Sequence, residues 1–435
     1  HAESDNVQVQ RILQNLGLDQ IIPDQLSDRL DAVLLHPIAG PMILVALLFF
    51  IFQAVFSWAT VPMDLIKTAI EFLGAQISAV LPDTWVRSLL IDGILAGLGG
   101  VVIFLPQILI LFFFILLLEE SGYLPRAAYL LDRVMGSVGL SGRSFIPLLS
   151  SFACAIPGIM ATRSISNARD RLVTILIAPM MTCSARLPVY ALLISAFIPE
   201  QKVWAGIDLQ GLVLFLLYLA GILGAMGVAW VLKRFTSEQF RVNALMMELP
   251  SYHLPRWSNL AISLWQRAEI FLRRVGGIIL LMTIGLWILS SFPLPPEGAT
   301  GSAIQYSFAG AIGQALAHVF SPVGFNWQIS IALVPGMAAR EVVVSSLATV
   351  YALSSSSADA ADALVPLISG GWSLATALSL LAWFVFAPQC LSTIAAVKRE
   401  TGGWKIPVIM LSYLFGLAYL ASFITYRVAL FFGLG

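Results

Sequence analysis

The three cysteines of the chain all lie beside prolines in apolar stretches. Each is within four residues of a proline, in the pairs Cys154 and Pro157, Cys183 and Pro179, and Cys390 and Pro388. A proline inside a membrane helix leaves the carbonyl four residues earlier without its hydrogen bond. Sulfur beside free carbonyl oxygen is a mixed soft and hard ligand set, which suits a borderline ion such as Fe²⁺ better than Mg²⁺ or Ca²⁺. The pattern favours a metal pathway, while the alternative of small buried hydrophobes in kinked helices stays open.

Ionisable side chains at membrane depth are costly and mark candidate functional sites. Glu341 interrupts an apolar segment, and we expect its carboxylate to face a cation pathway while its neighbour Arg340 forms a structural ion pair. Ser184, whose carbonyl is freed by a proline four residues later, is a weaker candidate for contact with the metal. Glu119 and Glu120 end a span and are candidates for an entry site, with a solvated helix end as the alternative.

Other chemistry is not indicated by the sequence. No G-x-x-x-x-G-K-[ST] phosphate loop occurs, so we expect no GTP site in this chain. None of the four histidines lies in an interrupted apolar segment, which argues against a histidine-built metal cage. An intramembrane thiol enzyme stays as the alternative from another functional class, but it needs a base near one cysteine. A membrane anchor for a GTPase domain is a third alternative, and it leaves the interrupted segments unexplained.

The elements that hold these residues must be membrane helices. The chain has 435 residues, of which 59% are hydrophobic and 11% charged, with 24 basic residues balancing 24 acidic ones. A soluble domain is about a quarter charged, so a soluble enzyme, a basic nucleic-acid-binding protein and a disordered tail are excluded. Long apolar runs exclude a porin-type barrel. We predict an all-α, polytopic helical membrane protein whose main partner is the lipid bilayer, with no nucleic-acid partner.

Seven apolar stretches reach the length of about 20 residues that a membrane span needs. They are residues 38–59, 101–118, 173–198, 212–232, 275–292, 373–397 and 406–432. Two further segments, 145–160 and 329–351, are shorter or interrupted by proline and charge. Lysine and arginine mark the cytoplasmic side, and arginines flank segment 145–160 on both sides, whereas the flanks of 329–351 have neither residue type. We therefore predict two gate-type, re-entrant segments that enter from opposite sides.

Each interrupted segment is followed by a span that contains Ala-Pro and then a cysteine, at 178–183 and at 387–390. A weak inverted repeat with broken helices is typical of a transporter with a binding site at the membrane midplane. We divide the chain into six regions. They are a cytoplasmic amphipathic lead-in (1–37), a first span with an extracytoplasmic interfacial region (38–100), a first gate region (101–200), a connecting span with a cytoplasmic amphipathic helix (201–274), a second gate region (275–400) and a C-terminal span (401–435).

Several motifs together resemble the membrane part of bacterial ferrous iron transport protein B. They are LHP at 35–37, LEESGY at 118–123, GRSFIPLL at 142–149, CAIP at 154–157, CSARLPVY at 183–190 and REVV at 340–343. The resemblance covers nearly the whole chain. It implies a multi-pass permease, not an enzyme, that carries Fe²⁺ as its substrate across the bacterial cytoplasmic (inner) membrane between two gates. In this hypothesis Cys154, Cys183 and Cys390 are sulfur ligands and Glu341 is an acidic one.

The family also implies partners beyond this chain. Its members carry a GTP-binding domain ahead of the membrane part on the same polypeptide, and they work with small cytoplasmic accessory proteins. The present sequence begins with a polar segment and lacks that domain, so we expect a chain cut from a longer precursor. Gate regions of this kind are also similar to those of nucleoside transporters, and transport of a nucleoside-like polar solute therefore stays as the alternative from the same class.

Overall fold

The structure is a computed structural model that describes residues 25–82, 84–103, 105–137, 139–152, 154–204, 207–236, 252–293, 306–337, 340, 342–351, 357–388 and 390–435. The first ten α-helices are α1 (Gln25–Leu34), α2 (Ala39–Val80), α3 (Trp85–Ser88), α4 (Ala96–Ile103), α5 (Leu105–Glu120), α6 (Tyr123–Ser137), α7 (Phe145–Ser151), α8 (Ala155–Ala161), α9 (Ala168–Ile177) and α10 (Leu187–Phe197). The others are α11 (Leu209–Thr236), α12 (Trp257–Phe271), α13 (Gly277–Ser291), α14 (Phe308–Phe320), α15 (Trp327–Gly336), α16 (Val342–Val350), α17 (Ser357–Gly371), α18 (Leu374–Phe386), α19 (Leu391–Thr401) and α20 (Lys405–Phe431). A short antiparallel pair, β1 (Lys202–Trp204) and β2 (Ile207–Asp208), precedes α11.

Five helical stretches among the described residues are long and apolar enough to cross a membrane. They are Ala39–Val80, Trp85–Glu120, Leu209–Arg234, Leu374–Thr401 and Lys405–Phe431. This confirms a helical, multi-pass membrane protein. The bounds differ from the sequence prediction at the first span, where α2 runs through Pro62 to Val80 and has 42 residues. At a rise of 1.5 Å per residue α2 is about 63 Å long, roughly twice the thickness of the hydrocarbon layer.

Three of the seven predicted spans are not continuous long helices. One of them, 373–397, consists of α18 and α19 and is described below with the second gate. The stretch 173–198 consists of α9 and α10, separated by a 3₁₀ turn (Ala178–Met180), an irregular link and a second 3₁₀ turn (Ser184–Arg186). The stretch 275–292 corresponds to α13, which has 15 residues. The apolar run at 173–198 gives no hint of its break except the two prolines, since hydropathy alone does not distinguish one long helix from two short ones.

The first gate is a pair of short helices followed by a broken one. Helices α7 and α8 pack against each other, and Cys154 is the residue immediately before α8, in an extended conformation. The chain then returns through α9 to the break at Cys183. Helix α9 begins at an N-cap, Asn167, whose side chain accepts hydrogen bonds from the N–H groups of Arg169 and Asp170.

The second gate repeats this arrangement. Helices α14 and α15 meet at 110°, as in a broken span or a re-entrant loop, and α15 packs against α16. Gly324 makes the turn possible: its φ is +82°, and an added Cβ would lie 2.1 Å from Cε2 of Tyr426. After α17, helix α18 runs to Phe386, and α19 begins at Leu391 directly after Cys390.

The core surrounds both broken helices. One apolar cluster joins α10, α15 and α18, and another joins α9, α11, α19 and α20. Helices α18 and α20 are also linked by a pair of buried serines, since Ser422 Oγ donates to the Ser379 carbonyl at 2.9 Å and Ser379 Oγ donates to the Ser422 carbonyl at 3.2 Å. Such interhelical hydrogen bonds hold helices together where the hydrophobic effect between them is weak. The gate helices therefore pack in a core in which α18 and α20 are joined by hydrogen bonds.

Candidate functional site: two helix breaks and a vestibule

Each cysteine lies at the end of a break, directly before a new helical segment. Cys154 precedes α8, Cys183 precedes the turn Ser184–Arg186, and Cys390 precedes α19. None of the three forms a disulfide; Cys183 is buried, while Cys154 and Cys390 are partly buried. The Cys390 sulfur is 3.4 Å from Oγ1 of Thr393. Cys183 and Cys390 lie in stretches that the sequence predicts as continuous spans, and the backbone is broken at both; Cys154 lies in a segment predicted to be interrupted.

The carbonyl groups freed before Cys390 are already paired. Arg340 Nη1 donates to the Phe384 carbonyl at 3.4 Å, which is the group that Pro388 deprives of its helical partner. Arg340 Nη2 donates to the Ala387 carbonyl at 2.6 Å and also to the Pro388 carbonyl. The expectation of a free carbonyl beside this cysteine is wrong, because a guanidinium occupies it. The described partners of Arg340 are carbonyls and not a carboxylate, so its expected ion pair is not seen there either.

A second buried arginine serves the other break. Arg186 Nη2 donates to the Pro179 carbonyl at 3.1 Å, and its Nη1 donates to the Val385 carbonyl at 2.9 Å. The Nε atoms of Arg186 and Arg340 have no hydrogen-bond partner among the described residues. Carbonyls at a helix C-terminus carry partial negative charge, and this compensates for part of the cost of burying two cations.

A cavity of about 870 Å³, here called the vestibule, leads to the first gate. Its walls come from α5, α7, α8, α12 and α19, and Cys154 and Pro157 are among the lining residues. Glu119 also lines it, with Arg163, Arg267, Arg399 and Glu400. The accumulation of arginines is typical of the cytoplasmic face. Of the three thiols, Cys154 is the one that lines the vestibule.

Glu400 joins the two gates beside the vestibule. Its carboxylate, 2% exposed, accepts from Arg163 Nη2 at 2.6 Å and from Arg171 Nη2 at 3.0 Å, across more than 220 residues of sequence. The hydrogen bond and the charge of Glu400 raise the pKa of Arg163 above its ordinary value. We call this group of three residues the Glu400 clasp. Sequence reasoning missed it, because Glu400 lies in an ordinary charged helix end.

The remaining predicted site residues are placed as follows. Glu120 Oε2 accepts from the backbone N–H of Arg256 at 3.1 Å, which ties α5 to the chain before α12. Ser184 belongs to the turn after Cys183, but its side chain lies outside the described residues, as does Glu341 altogether. Among the described residues, no group of three or more His, Cys, Asp or Glu side chains is placed to hold a metal ion. The proposed ligand set therefore stays a prediction.

Comparison with known proteins identifies the family. The Gate family model, described as nucleoside recognition, matches residues 101–197 and 272–404, more than half of the chain. The chain belongs to the Gate family. A second model, the C terminus of ferrous iron transport protein B, matches residues 214–267. No solved structure matches the Gate chain significantly.

Curated relatives of the Gate chain extend the match to nearly its full length. A protein of Leptospira interrogans named Fe(2+) transporter FeoB is 38% identical, covering 97% of the chain and 62% of the relative. One of Leptospira biflexa with the same name is 41% identical over 94% of the chain and 60% of the relative. A Porphyromonas gingivalis protein, named a fusion of Fe(2+) transport protein A and FeoB, is 37% identical over 94% of the chain and 52% of the relative. These matches confirm the resemblance to the membrane part of ferrous iron transport protein B. The chain spans only about 60% of the length of the curated relatives it matches.

Proposed function

We propose that this chain is the membrane part of a permease that carries Fe²⁺ into the bacterial cytoplasm between its two gates. The observation that carries the proposal is the position of the thiols: all three lie at helix breaks of the gates, in a chain whose relatives are named Fe(2+) transporters. Broken helices at a repeat interface are where transporters bind their substrates. Thiols select soft or borderline metals. The vestibule supplies a route from the first gate to the cytoplasmic face.

In this proposal Cys154, Cys183 and Cys390 are the sulfur ligands, and Glu341 is the acidic one. The three cysteines lie at three separate helix breaks, and in this proposal they act in succession along the pathway. Ser184 contributes as a weaker oxygen ligand. Glu119 lines the vestibule, where a carboxylate attracts a cation that leaves the gate.

The curated relatives are longer than the chain, which spans about 60% of their length. We propose that the full-length protein carries a GTP-binding domain that controls transport, with no GTP site in the present residues. We also place it in the bacterial inner membrane and assign it small cytoplasmic accessory proteins. Support for a partner of that kind is the Porphyromonas gingivalis relative, whose name joins Fe(2+) transport protein A to the transporter in one polypeptide.

The test is anaerobic uptake of ⁵⁵Fe²⁺ into liposomes that contain the chain. The parent is compared with the Cys154→Ser, Cys183→Ser, Cys390→Ser variant, and with Ser412→Ala, an exposed change on α20, as control. We expect uptake by the parent and the control and its loss in the triple variant. Full uptake by the triple variant would overturn the ligand assignment. An inactive parent, repeated with the full-length protein and GTP, would overturn iron transport itself.

Two alternatives are not favoured. A nucleoside-like solute agrees with the description of the Gate family as nucleoside recognition, but the curated relatives over the same residues are named for iron. An intramembrane thiol enzyme needs a base beside a thiol. The nucleoside alternative is tested by adding an excess of a nucleoside to the uptake assay. The nucleoside should compete with Fe²⁺ only if the gates admit such a solute.

A further inference from the structure

Two nearly fully buried arginines meet at the C-terminal end of α18. Arg186 is 0% and Arg340 is 3% exposed. Arg340 donates to the carbonyl of Phe384, and Arg186 donates to that of the next residue, Val385. Arg186 comes from the first gate and Arg340 from the second. One helix end is therefore held by a guanidinium from each half of the repeat.

Arg186 acts as a fork between two helix ends. Its Nη2 donates to the Pro179 carbonyl, in the turn that follows α9, while its Nη1 donates to the Val385 carbonyl of α18 at 2.9 Å and makes a longer contact, 3.5 Å, with the Met180 carbonyl. Its own backbone N–H donates to the Cys183 carbonyl at 3.0 Å. The planar guanidinium spans both acceptors with two separate nitrogens, which a single ammonium nitrogen does not reproduce. The position of Cys183 is thus tied to α18, the helix that leads to Cys390.

The shorter contacts of Arg340 all come from one nitrogen. Its Nη2 alone binds the carbonyls of Ala387 and Pro388, the residues of the break before Cys390, while the contact of Nη1 with Phe384 is longer at 3.4 Å. An unpaired carbonyl in a membrane interior is costly, so these contacts fix the extended backbone of the break. A nitrogen of lysine in the same place is able to donate to both carbonyls.

We propose that Arg186 and Arg340 are positioning residues for metal transport, which hold the two breaks so that Cys183 and Cys390 keep a fixed relative placement. The inference rests on the proposed function. Neither arginine touches the ion, because a guanidinium has no acceptor and its charge repels a cation. Their role is to occupy the carbonyls and to leave the sulfurs as the ligands at the breaks.

Arg186 binds its two helix ends through separate nitrogens, whereas the short contacts of Arg340 come from one nitrogen. Lysine should therefore replace Arg340 better than Arg186, while glutamine should replace neither. Each arginine is changed to Lys and to Gln, with Arg427→Gln as control, since Arg427 is exposed and its ring contact, Phe423, lies in its own helix. Yield and monodispersity in detergent are checked first. The half-saturation concentration for ⁵⁵Fe²⁺ and the maximal uptake rate are then measured separately in liposomes.

We expect Arg186→Lys and Arg186→Gln both to raise the half-saturation concentration at least about tenfold, because the bridge between the helices is lost in each. Arg340→Lys should stay within about threefold of the parent, whereas Arg340→Gln should resemble the Arg186 variants. If Arg186→Lys performs as well as Arg340→Lys, or Arg340→Lys as poorly as Arg340→Gln, the inference is overturned. The Arg340 pair decides alone if the Arg186 variants do not fold. An inactive parent overturns the proposed function itself, which separates the two failures.

Discussion

Arg126 and Asp31 form a bidentate ion pair across 95 residues of sequence, with Nε to Oδ1 at 2.6 Å and Nη2 to Oδ2 at 3.0 Å. Arg126 is 1% exposed. Tyr252 completes the group, since its hydroxyl donates to Asp31 Oδ1 at 2.7 Å and its ring centroid is 3.8 Å from Cζ of Arg126. Bidentate arginine–carboxylate pairs are among the stronger polar contacts. Helix α1 is thereby attached to α6, which leads into the first gate.

Asp31→Asn should destabilise the protein by about 2–4 kcal/mol, because it removes the negative charge of Asp31 from the buried guanidinium of Arg126. The expected result is a lower unfolding temperature of the purified protein in detergent, measured by scanning fluorimetry. Asp28→Asn is the matched control on the same helix, where the side chain is exposed. Equal unfolding temperatures for the two variants would contradict a stabilising role for the pair.

The contribution of Asp31 should disappear in acid. Burial raises the pKa of its carboxyl, but hydrogen bonds from Arg126 and Tyr252 and the charge of Arg126 outweigh burial, so the pKa lies below its ordinary value of 3.8. A depressed folded-state pKa stabilises the folded protein above the ordinary value and loses that effect as the pH falls through the folded-state value. The difference in unfolding temperature between parent and Asp31→Asn should be constant from pH 5 to 7 and shrink below about pH 4. A difference that grows in acid would refute this assignment.

Glu400→Gln should loosen the clasp between the gates. The glutamine keeps the shape of the side chain but loses the charge that binds Arg163 and Arg171. We expect the free energy of unfolding to fall by about 1–3 kcal/mol. Glu269→Gln is the control, since Glu269 pairs with Arg273 in an exposed i,i+4 contact that contributes little. Unfolding temperatures in detergent distinguish the two. The clasp is unimportant if both variants behave like the parent.

Gly324→Ala should disrupt the turn between α14 and α15. A methyl group there would meet the ring of Tyr426 at 2.1 Å, in addition to the strain of a left-handed backbone. Gly402→Ala is the matched control, because Gly402 also has a positive φ, +70°, but nothing lies within 4 Å of its added Cβ. We expect the control to lower the free energy of unfolding by about 1 kcal/mol and to keep most of its folded yield. Gly324→Ala should lose much more of its folded yield. Similar yields would show that Tyr426 moves aside.

Cys154 should be the more reactive of two thiols from the cytoplasmic side. It lines the vestibule, whereas Cys183 is 5% exposed. In single-cysteine variants, a membrane-impermeant maleimide applied to inside-out vesicles should label Cys154 at least about tenfold faster, since exposure controls thiol reactivity. Labelling after detergent denaturation controls for the amount of each protein. Faster labelling of Cys183 would contradict the position of the vestibule.

The sequence predicts the helical class and the place of the breaks better than it predicts contacts. Proline and cysteine mark the breaks at Cys183 and Cys390 locally, and the arginine-free flanks mark the second re-entrant segment. The length of α2 is missed because Asp64 and Lys67 end the apolar run while the helix continues. The Glu400 clasp and the pair of Asp31 with Arg126 join residues far apart in the chain. Such partners share no local periodicity, so only the folded structure reveals them.

The pairing of the break carbonyls with guanidinium groups has a consequence for discrimination among metals. Mg²⁺ gives up its hydration water only for a nearly complete octahedron of oxygen ligands. The carbonyls of Pro179, Phe384, Val385 and Ala387 are already engaged by Arg186 and Arg340. At the breaks of the proposed pathway, a hydrated magnesium ion therefore meets thiols, and few backbone oxygens are left to replace its water. By occupying its own backbone oxygens, the protein makes these positions poor hosts for the hard divalent ion that is far more abundant in cells than iron.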